Sequence, residues 1–354
     1  MNICFVVNKL YDGGTERVVT SLANAMAQNG KNVSILRFEC KQDEYDCAPQ
    51  IQKELIDLNE CRIVFATKVL RFLYKSNYDI IIAFDILPNI LCSILKIFSS
   101  KVVIISERNA PREVQIHFLN RILRFFTYPL ADKIVFQTEE ALNFYRKRIQ
   151  KKGVIICNPV KEDLPFRYKT TEKTIFAMGR LVDQKNYPLL IEAASIIHKK
   201  HPEYTFVIFG QGRKKHDLEE LIKQIGAESY IYLKGYRNDI YNHIVHFDIY
   251  LLTSLYEGMP NSLIEAMSMG FPVIASDCPS GGPRCLIDSF KNGILFINND
   301  INSLVEAIQY MIEHDDEKER MGKSAKQIRD KLCISNIANQ WLQLMQNCCS
   351  RQDL

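Results

Sequence analysis

Two glutamates, Glu257 and Glu265, stand eight residues apart around a short Gly-Pro loop in the stretch EGMPNSLIEAM. The pattern predicts Glu257 in the loop and Glu265 in the first turn of a helix that begins near residue 261 or 262. The unpaired N–H groups and positive dipole end of that helix could hold phosphate oxygens. A capping box between Ser262 and Glu265 is the structural alternative, and it would explain Glu265 but not Glu257.

Two cations, Arg180 and Lys185, follow an apolar run in the stretch GRLVDQKN. On a loop before a helix, they could clamp a departing diphosphate. A unit charge about 4 Å from a phosphate oxygen contributes roughly 4 kcal/mol at an effective dielectric of about 20. The alternative interpretation is a pair of solvated loop cations.

Glycines recur at the other predicted strand-to-helix junctions. Gly13 and Gly14 follow the opening strand, Gly210 lies in FGQG, and Gly235 lies in LKG. Glycine permits close approach of a backbone to a ligand. Each of these glycines could equally serve an ordinary turn.

Short apolar runs alternate with helix-period stretches along the chain, which predicts parallel sheets with helices on both faces. The predicted strands are 3–7, 33–38, 80–84, 102–105, 134–137, 154–157, 174–178, 204–209, 230–233, 249–252, 272–276 and 293–296. Ligands of such sheets bind outside the carboxyl ends of the strands. The expected fold class is therefore α/β, with two Rossmann-like halves whose strand ends face a common cleft.

The predicted domain boundaries follow from a change in composition after Asn158-Pro159, where the chain becomes polar as far as residue 173. Residues 1–158 would form the amino-terminal domain, 159–173 the linker and 174–330 the carboxy-terminal domain. A helix within 331–354 closes the chain and could cross back to the first domain.

Composition and charge bound the class of protein. The chain has 354 residues, 47% hydrophobic, with 11 cysteines, none at C-x-x-C or zinc-ligand spacing. Reduced thiols, no basic leader and a longest apolar run of only 86–98 predict a cytoplasmic chain that does not span a membrane. The net charge is +4, and residues 1–152 alone carry 22 Lys and Arg against 16 Asp and Glu. A basic first half suggests an anionic membrane or a lipid diphosphate as partner. The alternative is a chance distribution of surface charge.

The motifs occur in the order GG, NP, GRLxxxKN, FGxG, LxG, EGxPNSxxEAM and GxPVIASDC. This order resembles the family 4 glycosyltransferases of the GT-B fold, especially bacterial members that build surface polysaccharides. The resemblance spans nearly the whole chain. It implies an acceptor-side amino-terminal domain, a nucleotide-sugar-binding carboxy-terminal domain, and transfer with retention in which the leaving phosphate helps take the acceptor's proton.

The resemblance also implies roles for the residues of the carboxy-terminal half. Arg180 and Lys185 would bind the donor diphosphate, Glu265 the ribose hydroxyls, and Glu257 the donor sugar; Glu257, Arg180 and Lys185 are the expected catalytic set. Backbone contacts are expected at the phosphates, sugar and nucleobase from Gly14, Gly210, Gly235, Gly258, Asn261 and Ser262.

On the acceptor side, many family members carry a histidine after the strand that corresponds to 102–105. This chain has Ser106-Glu107-Arg108-Asn109 instead, similar to a subgroup of polysaccharide enzymes. Glu107, Arg108 and Asn109 are therefore expected to line the cleft. The alternative is a polar loop with an Arg–Glu pair.

No D-x-D sequence occurs in the chain, so we expect no metal and no cofactor besides the UDP-sugar co-substrate. The choice of UDP over GDP follows family frequency. The expected partners are a nucleotide-sugar donor and a glycan or lipid-linked glycan acceptor, with no nucleic acid. The basic, amphipathic stretch 116–126 could lie on the inner face of the plasma membrane, or simply pack on its sheet.

Other functions remain open at this point. A nucleotide-sugar 2-epimerase of the same fold would need no acceptor, and a non-catalytic subunit would only bind the sugar nucleotide. A dinucleotide oxidoreductase is disfavoured because no G-x-G-x-x-G follows the opening strand.

Overall fold

The computed structural model describes residues 1–59, 61–108, 118–169 and 172–350. The chain forms two compact units. The amino-terminal unit comprises residues 1–159 together with 332–354, and the carboxy-terminal unit comprises residues 160–331.

The amino-terminal unit is built on a seven-stranded, wholly parallel sheet of order β3-β2-β1-β4-β5-β6-β7. Its strands are β1 (Asn2–Val7), β2 (Asn32–Arg37), β3 (Gln52–Leu55), β4 (Ile80–Phe84), β5 (Val102–Ser106), β6 (Lys133–Phe136) and β7 (Gly153–Ile155). Its helices are α1 (Gly14–Gln28), α2 (Arg62–Lys75), α3 (Ile86–Leu95), α4 (Phe118–Thr127), α5 (Glu139–Asn143) and α6 (Lys147–Gln150), with a 3₁₀ turn at Tyr128–Leu130.

The central strands of this sheet are continuous apolar runs because helices cover both faces. Every residue of β4 and β5 is buried. The edge strand β3 has the sequence QKEL and is largely exposed, which explains why an apolar pattern did not predict it.

The carboxy-terminal unit repeats the plan with six parallel strands of order β10-β9-β8-β11-β12-β13. Its strands are β8 (Thr174–Met178), β9 (Thr205–Phe209), β10 (Ile231–Gly235), β11 (Ile249–Leu252), β12 (Val273–Asp277) and β13 (Ile294–Ile297). Its helices are α7 (Tyr187–Lys200), α8 (Lys215–Gln224), α9 (Ile240–Ile244), α10 (Asn261–Met269), α11 (Gly282–Leu286), α12 (Ile301–Glu313), α13 (Asp315–Ala325) and α14 (Ile328–Lys331), with a 3₁₀ turn at Asp183–Lys185. The predicted α/β class, with two Rossmann-like parallel sheets, is confirmed.

The segment predicted as a linker packs onto the carboxy-terminal unit from residue 160 onward. Arg167 shows how: its backbone N–H donates to Met269 O at 2.8 Å, and its guanidinium pairs with Asp248 and Glu319. These are buried or half-buried contacts, so the described part of this segment is anchored.

The last helix, α15 (Ile334–Cys349), belongs to the amino-terminal unit and packs against α1. Trp341, the one tryptophan of the chain, is fully buried on this helix. Its ring lies 5.8 Å from that of Phe84, the last residue of β4. The carboxy-terminal helix thus reaches the carboxyl edge of the first sheet.

Candidate functional site

Three of the predicted glycine loops meet at the carboxyl edge of the second sheet. The N–H of Gly179 donates to Phe209 O at 2.9 Å, and the N–H of Gly210 donates to Gly235 O at 2.8 Å. The loops after β8, β9 and β10 are therefore joined backbone to backbone. Arg180 lies in the first of these loops, next to the predicted residues Gly210 and Gly235.

Gly210 is required by this close approach. A Cβ on this residue would lie 1.8 Å from the carbonyl oxygen of Gly179, and its φ is +147°. No other residue fits both the contact and the backbone conformation. The glycine therefore keeps this part of the edge free of side chains.

The two predicted catalytic groups Lys185 and Glu257 are in direct contact. Lys185 Nζ lies 2.6 Å from Glu257 Oε1, and Ser254 Oγ donates to the same oxygen at 2.7 Å. Glu257 is buried and Lys185 is half-buried. The chain has thus placed a charge-assisted hydrogen bond where the sequence predicts a sugar-diphosphate site.

Backbone and side-chain contacts fix this pair by joining the 3₁₀ turn after β8 to the loop after β11. The N–H of Leu255 donates to Gln184 O at 2.8 Å, and Thr253 Oγ1 donates to Lys185 O at 2.9 Å. The amide of Gln184 donates to Tyr256 O at 2.8 Å. Sequence reasoning passed over Gln184, although it lies inside the GRLVDQKN motif.

Glu265 is the fifth residue of α10, so its predicted place in the first turn is wrong by one position. The carboxylate is buried and accepts a hydrogen bond from Tyr241 Oη at 3.0 Å. The alternative of a capping box is not realised. Pro260 is the N-cap residue, and the hydroxyl of Ser262 is hydrogen-bonded by Tyr250 Oη at 2.8 Å. Tyr241 was not singled out, because nothing in its local sequence marks it.

The start of α10 brings further predicted residues to the same edge. Asn261 is its first residue, and the carbonyl of Gly258 would lie 1.8 Å from a Cβ on Gly282, so these two loops also approach closely. Arg180 is exposed, and its guanidinium makes no hydrogen bond or ion pair with the described residues. It is therefore available to an anion.

In the amino-terminal unit, Gly14 is exposed at the first position of α1, with Gly13 as the N-cap residue. The helix begins seven residues after β1 ends. The N-terminal end of α1 therefore lies at the carboxyl edge of the first sheet, where the carboxylate of Glu16 lies close against Gly13. The phosphate contact expected at Gly14 stays a prediction.

Glu107 is buried and serves an internal network. Its Oε2 accepts hydrogen bonds from Arg124 Nη2 at 2.9 Å and from Tyr145 Oη at 2.8 Å, with Tyr128 Oη at 3.4 Å. The alternative of an Arg–Glu pair is therefore partly realised, but with Arg124 of α4 as the cation. This geometry holds α4 against the sheet.

Arg108 is also buried, and its guanidinium packs against the adjacent rings of Phe84 and Trp341, 4.9 Å and 5.8 Å from their centroids. Its Nη1 donates to Asn158 Oδ1 at 2.6 Å. Burial lowers the pKa of its guanidinium to about 9, against the opposing effects of Cys157 and Asp85. The third predicted acceptor-side residue, Asn109, lies outside the described residues.

Within residues 1–59, 61–108, 118–169 and 172–350, no group of three or more His, Cys, Asp or Glu side chains could hold a metal ion. Across those residues, no helix is both long and apolar enough to cross a bilayer. Residues 116 and 117 of the predicted amphipathic stretch 116–126 lie outside the described residues, and α4 begins at Phe118.

Two Rossmann-like units, one with a glycine-lined strand edge and a paired Lys and Glu, are typical of an α/β protein that binds a nucleotide at the carboxyl ends of its strands. Comparison with known families identifies the family to which the chain belongs. Residues 12–164 match Glycosyltransferase Family 4, and residues 161–328 match Glycosyl transferases group 1. The chain belongs to the family 4 glycosyltransferases and has the GT-B fold.

Relatives align along nearly the full length. An uncharacterized glycosyltransferase of Haemophilus influenzae is 26% identical, covering 95% of this chain and 97% of that protein. A Campylobacter jejuni α-1,4-N-acetyl-D-galactosaminyltransferase, named for a diNAcBac-PP-undecaprenol substrate, is 25% identical over 98% of each. The structure of Anabaena HepE in complex with UDP has a TM-score of 0.83 at 18% identity, covering 98% of this chain and 100% of that one.

Proposed function

We propose that this glycosyltransferase moves a hexose or N-acetylhexosamine from a UDP-sugar to a glycan acceptor, with retention of anomeric configuration. The observation that carries the proposal is the Lys185–Glu257 contact at 2.6 Å, held beside the start of α10 and the Gly179–Gly210 approach. A cation, a helix N-terminus and side-chain-free backbone are what a sugar diphosphate requires.

The donor would be held by the carboxy-terminal unit. Lys185 shares its charge between Glu257 and the diphosphate, and the exposed Arg180 adds a second cation. Glu265, already oriented by Tyr241, takes the ribose hydroxyls. The bound UDP of the similar Anabaena structure supports UDP as the nucleotide.

No metal is needed in this proposal. The departing diphosphate would be neutralised by Arg180, Lys185 and the N-terminal end of α10, so that catalysis rests on positioning and preorganised electrostatics. Rates in excess EDTA should then equal those with added Mg²⁺ or Mn²⁺.

The acceptor in this proposal is a lipid-diphosphate-linked intermediate of a surface polysaccharide, as the name of the Campylobacter relative suggests. One face of the amino-terminal unit suits an anionic membrane. Helix α4 exposes Leu119, Phe125 and Phe126, the last by 67%. Helix α2, which like α4 packs on α3, carries four exposed cations and no acidic residue: Arg62, Lys68, Arg71 and Lys75. Basic and apolar groups on helices that pack on the same helix favour peripheral binding.

Glycosyl transfer tests the proposal directly. The protein is incubated in EDTA with UDP-, GDP- and CDP-sugars and a panel of octyl α-glycosides, and the products are examined by mass spectrometry and by NMR of the new anomeric proton. We expect one UDP-sugar to be used, with an α product from an α donor. Arg180→Ala should lose roughly 10²–10³ in kcat, and the surface control Arg320→Ala should lose nothing. An inverted product, a loss under threefold for Arg180→Ala, or activity only with metal would contradict it.

Vesicle flotation tests the membrane part separately. Binding to vesicles that contain phosphatidylglycerol, but not to pure phosphatidylcholine, is expected, and Phe126→Ser should weaken it. Ile297→Ser is the matched control, because Ile297 is also 67% exposed but lies in the other unit. Equal binding of both variants and the wild type would argue against this face.

A further inference from the structure

Asp85, the residue after β4, has a backbone conformation that is unusual for any side chain. Its φ is 75° and its ψ is 163°. This region is populated almost only by glycine, and other residues there cost of order 1–3 kcal/mol. Asn186, another residue with positive φ, has φ 48° and ψ 45°, the left-handed conformation that asparagine tolerates. The fold therefore holds an aspartate where glycine would be unstrained.

Helix capping does not explain this aspartate. Asp85 is the N-cap residue of α3, yet its side chain makes no capping hydrogen bond. The carboxylate instead accepts a hydrogen bond from Asn8 Nδ2 at 3.3 Å, from the loop after β1. The side chain therefore contacts the loop that follows β1, the strand next to β4 in the sheet.

The surroundings of Asp85 also oppose its charge. Burial raises the pKa of its carboxyl group to about 6, and Glu107 adds to the rise, while a hydrogen bond from the backbone of Asn8 and the cations Lys9 and Arg108 lower it. A strained backbone and a desolvated carboxylate at one position both reduce stability, and such positions cluster at functional sites.

The neighbouring Arg108 is a buried cation with spare donors. Only 7% of the residue is exposed, and its Nε and Nη2 have no hydrogen-bond partner among the described residues. Asp85 and Arg108 lie close enough for each charge to affect the other's pKa. Phe84 and Trp341 hold the guanidinium in place by stacking. A charged carboxylate is thus kept beside a fixed, incompletely bonded cation.

We propose that Asp85, supported by Arg108, binds the attacking hydroxyl of the glycan acceptor, an inference that rests on the proposed function. The carboxylate accepts the hydrogen bond of that hydroxyl and fixes its direction. The acceptor oxygen then forms its bond to the anomeric carbon while the bond from that carbon to the diphosphate oxygen breaks. The electron pair of that bond and the hydroxyl proton both leave with the diphosphate. In this proposal Asp85 contacts the acceptor only, and the donor is bound by residues of the carboxy-terminal unit.

The test compares Asp85→Asn with wild type in acceptor kinetics, using octyl α-glycosides and the UDP-sugar that the transfer experiment selects. We expect kcat/KM for the acceptor to fall about 10- to 100-fold, the effect of losing a hydrogen bond to a charged group. The dissociation constant of UDP should stay within threefold. The control is Asp132→Asn. Asp132 directly precedes β6, at the opposite edge of the same sheet, and its carboxylate pairs with Lys96. This variant should have the same kcat/KM for the acceptor as the wild type.

The pH profile separates a direct role from a structural one. In the wild type, kcat/KM for the acceptor should rise with pH through about 6 as the Asp85 carboxyl group ionises. In Asp85→Asn this limb should disappear. Asp85→Gly relieves the backbone, so it should fold at least as stably as wild type and still transfer poorly. A rising limb that persists in Asp85→Asn, or normal transfer by Asp85→Gly, would overturn the proposal.

Acceptor binding can be measured separately from donor binding, so that a wrong role for Asp85 is distinguished from a wrong assignment of the donor. Trp341 is the one tryptophan and lies against Arg108, so its fluorescence reports on this edge without any donor. Octyl α-glycosides should change it in the wild type and in Asp132→Asn, but not in Asp85→Asn. An equal change in Asp85→Asn would refute the role of Asp85, whereas loss of UDP binding in the wild type would refute the donor proposal instead.

Discussion

Loss of either member of the Lys185–Glu257 pair should destabilise the protein, because each charge is stabilised by the other. The two groups lie 2.6 Å apart, with side-chain exposures of 13% and 9%. At an effective dielectric of about 20, their Coulomb attraction is about 6 kcal/mol before desolvation is subtracted. Removing one partner of a buried pair costs about 3–5 kcal/mol, because the other charge stays buried and unpaired.

Lys185→Met should therefore destabilise the protein by about 3 kcal/mol, the lower end of that range, because the lysine is only half-buried. For a unit of this size, that lowers the melting temperature by roughly 6–12 °C. Glu257→Gln should cost less, because the amide can still accept from Ser254. The double variant should recover most of the loss, giving a coupling energy of about 1–3 kcal/mol.

Thermal unfolding of the four proteins measures the stability cycle, and titration with UDP measures function. Recovered stability together with weak UDP binding in the double variant would show that the pair exists to hold a cation for the ligand. Additive effects on stability, with coupling below about 0.5 kcal/mol, would refute the reasoning. So would full UDP affinity in Lys185→Met.

Two further predictions concern the backbone and the first unit. Gly210→Ala should lower the free energy of unfolding by well over 2 kcal/mol, because its Cβ would lie 1.8 Å from Gly179 O. The matched control Gly235→Ala has φ +69° and no atom within 4 Å, so it should lose only the roughly 1–2 kcal/mol of a left-handed alanine. Equal losses of the two variants in urea unfolding would contradict this prediction. Asp85→Asn should stabilise the protein at pH 8 by up to about 3 kcal/mol, since a folded-state pKa of about 6 against 3.8 penalises the ionised form. The penalty is absent below about pH 3.8, grows between 3.8 and 6 and is complete above 6, so a gain that does not shrink on acidification would count against it.

The sequence predicted most of the sheet architecture because buried parallel strands are continuous apolar runs. Strands β4, β8 and β11 match their predicted bounds. The edge strand β3 and helix α2 were not predicted. The exposed QKEL of β3 lacks an apolar signal, and α2 buries only three residues, Phe65, Val69 and Leu73.

For the candidate site, local motifs predicted which loops would meet but not how their side chains pair. The contact between Lys185 and Glu257 joins residues 72 apart in sequence, and Tyr241 reaches Glu265 from another helix. Asp85 could not be predicted as a site residue, because what distinguishes it is its backbone conformation and not a sequence motif. The roles assigned to the individual site residues stay predictions.

Donor binding can be measured by saturation-transfer NMR of the purified protein against UDP-, GDP- and CDP-sugars in EDTA. Glu265→Ala serves as the site variant, and Glu306→Ala, an exposed glutamate of α12, serves as its matched control. We expect one preferred UDP-sugar, bound without metal by the wild type and by Glu306→Ala but not by Glu265→Ala. Absence of nucleotide-sugar binding in the wild type, or unchanged binding in Glu265→Ala, would contradict it.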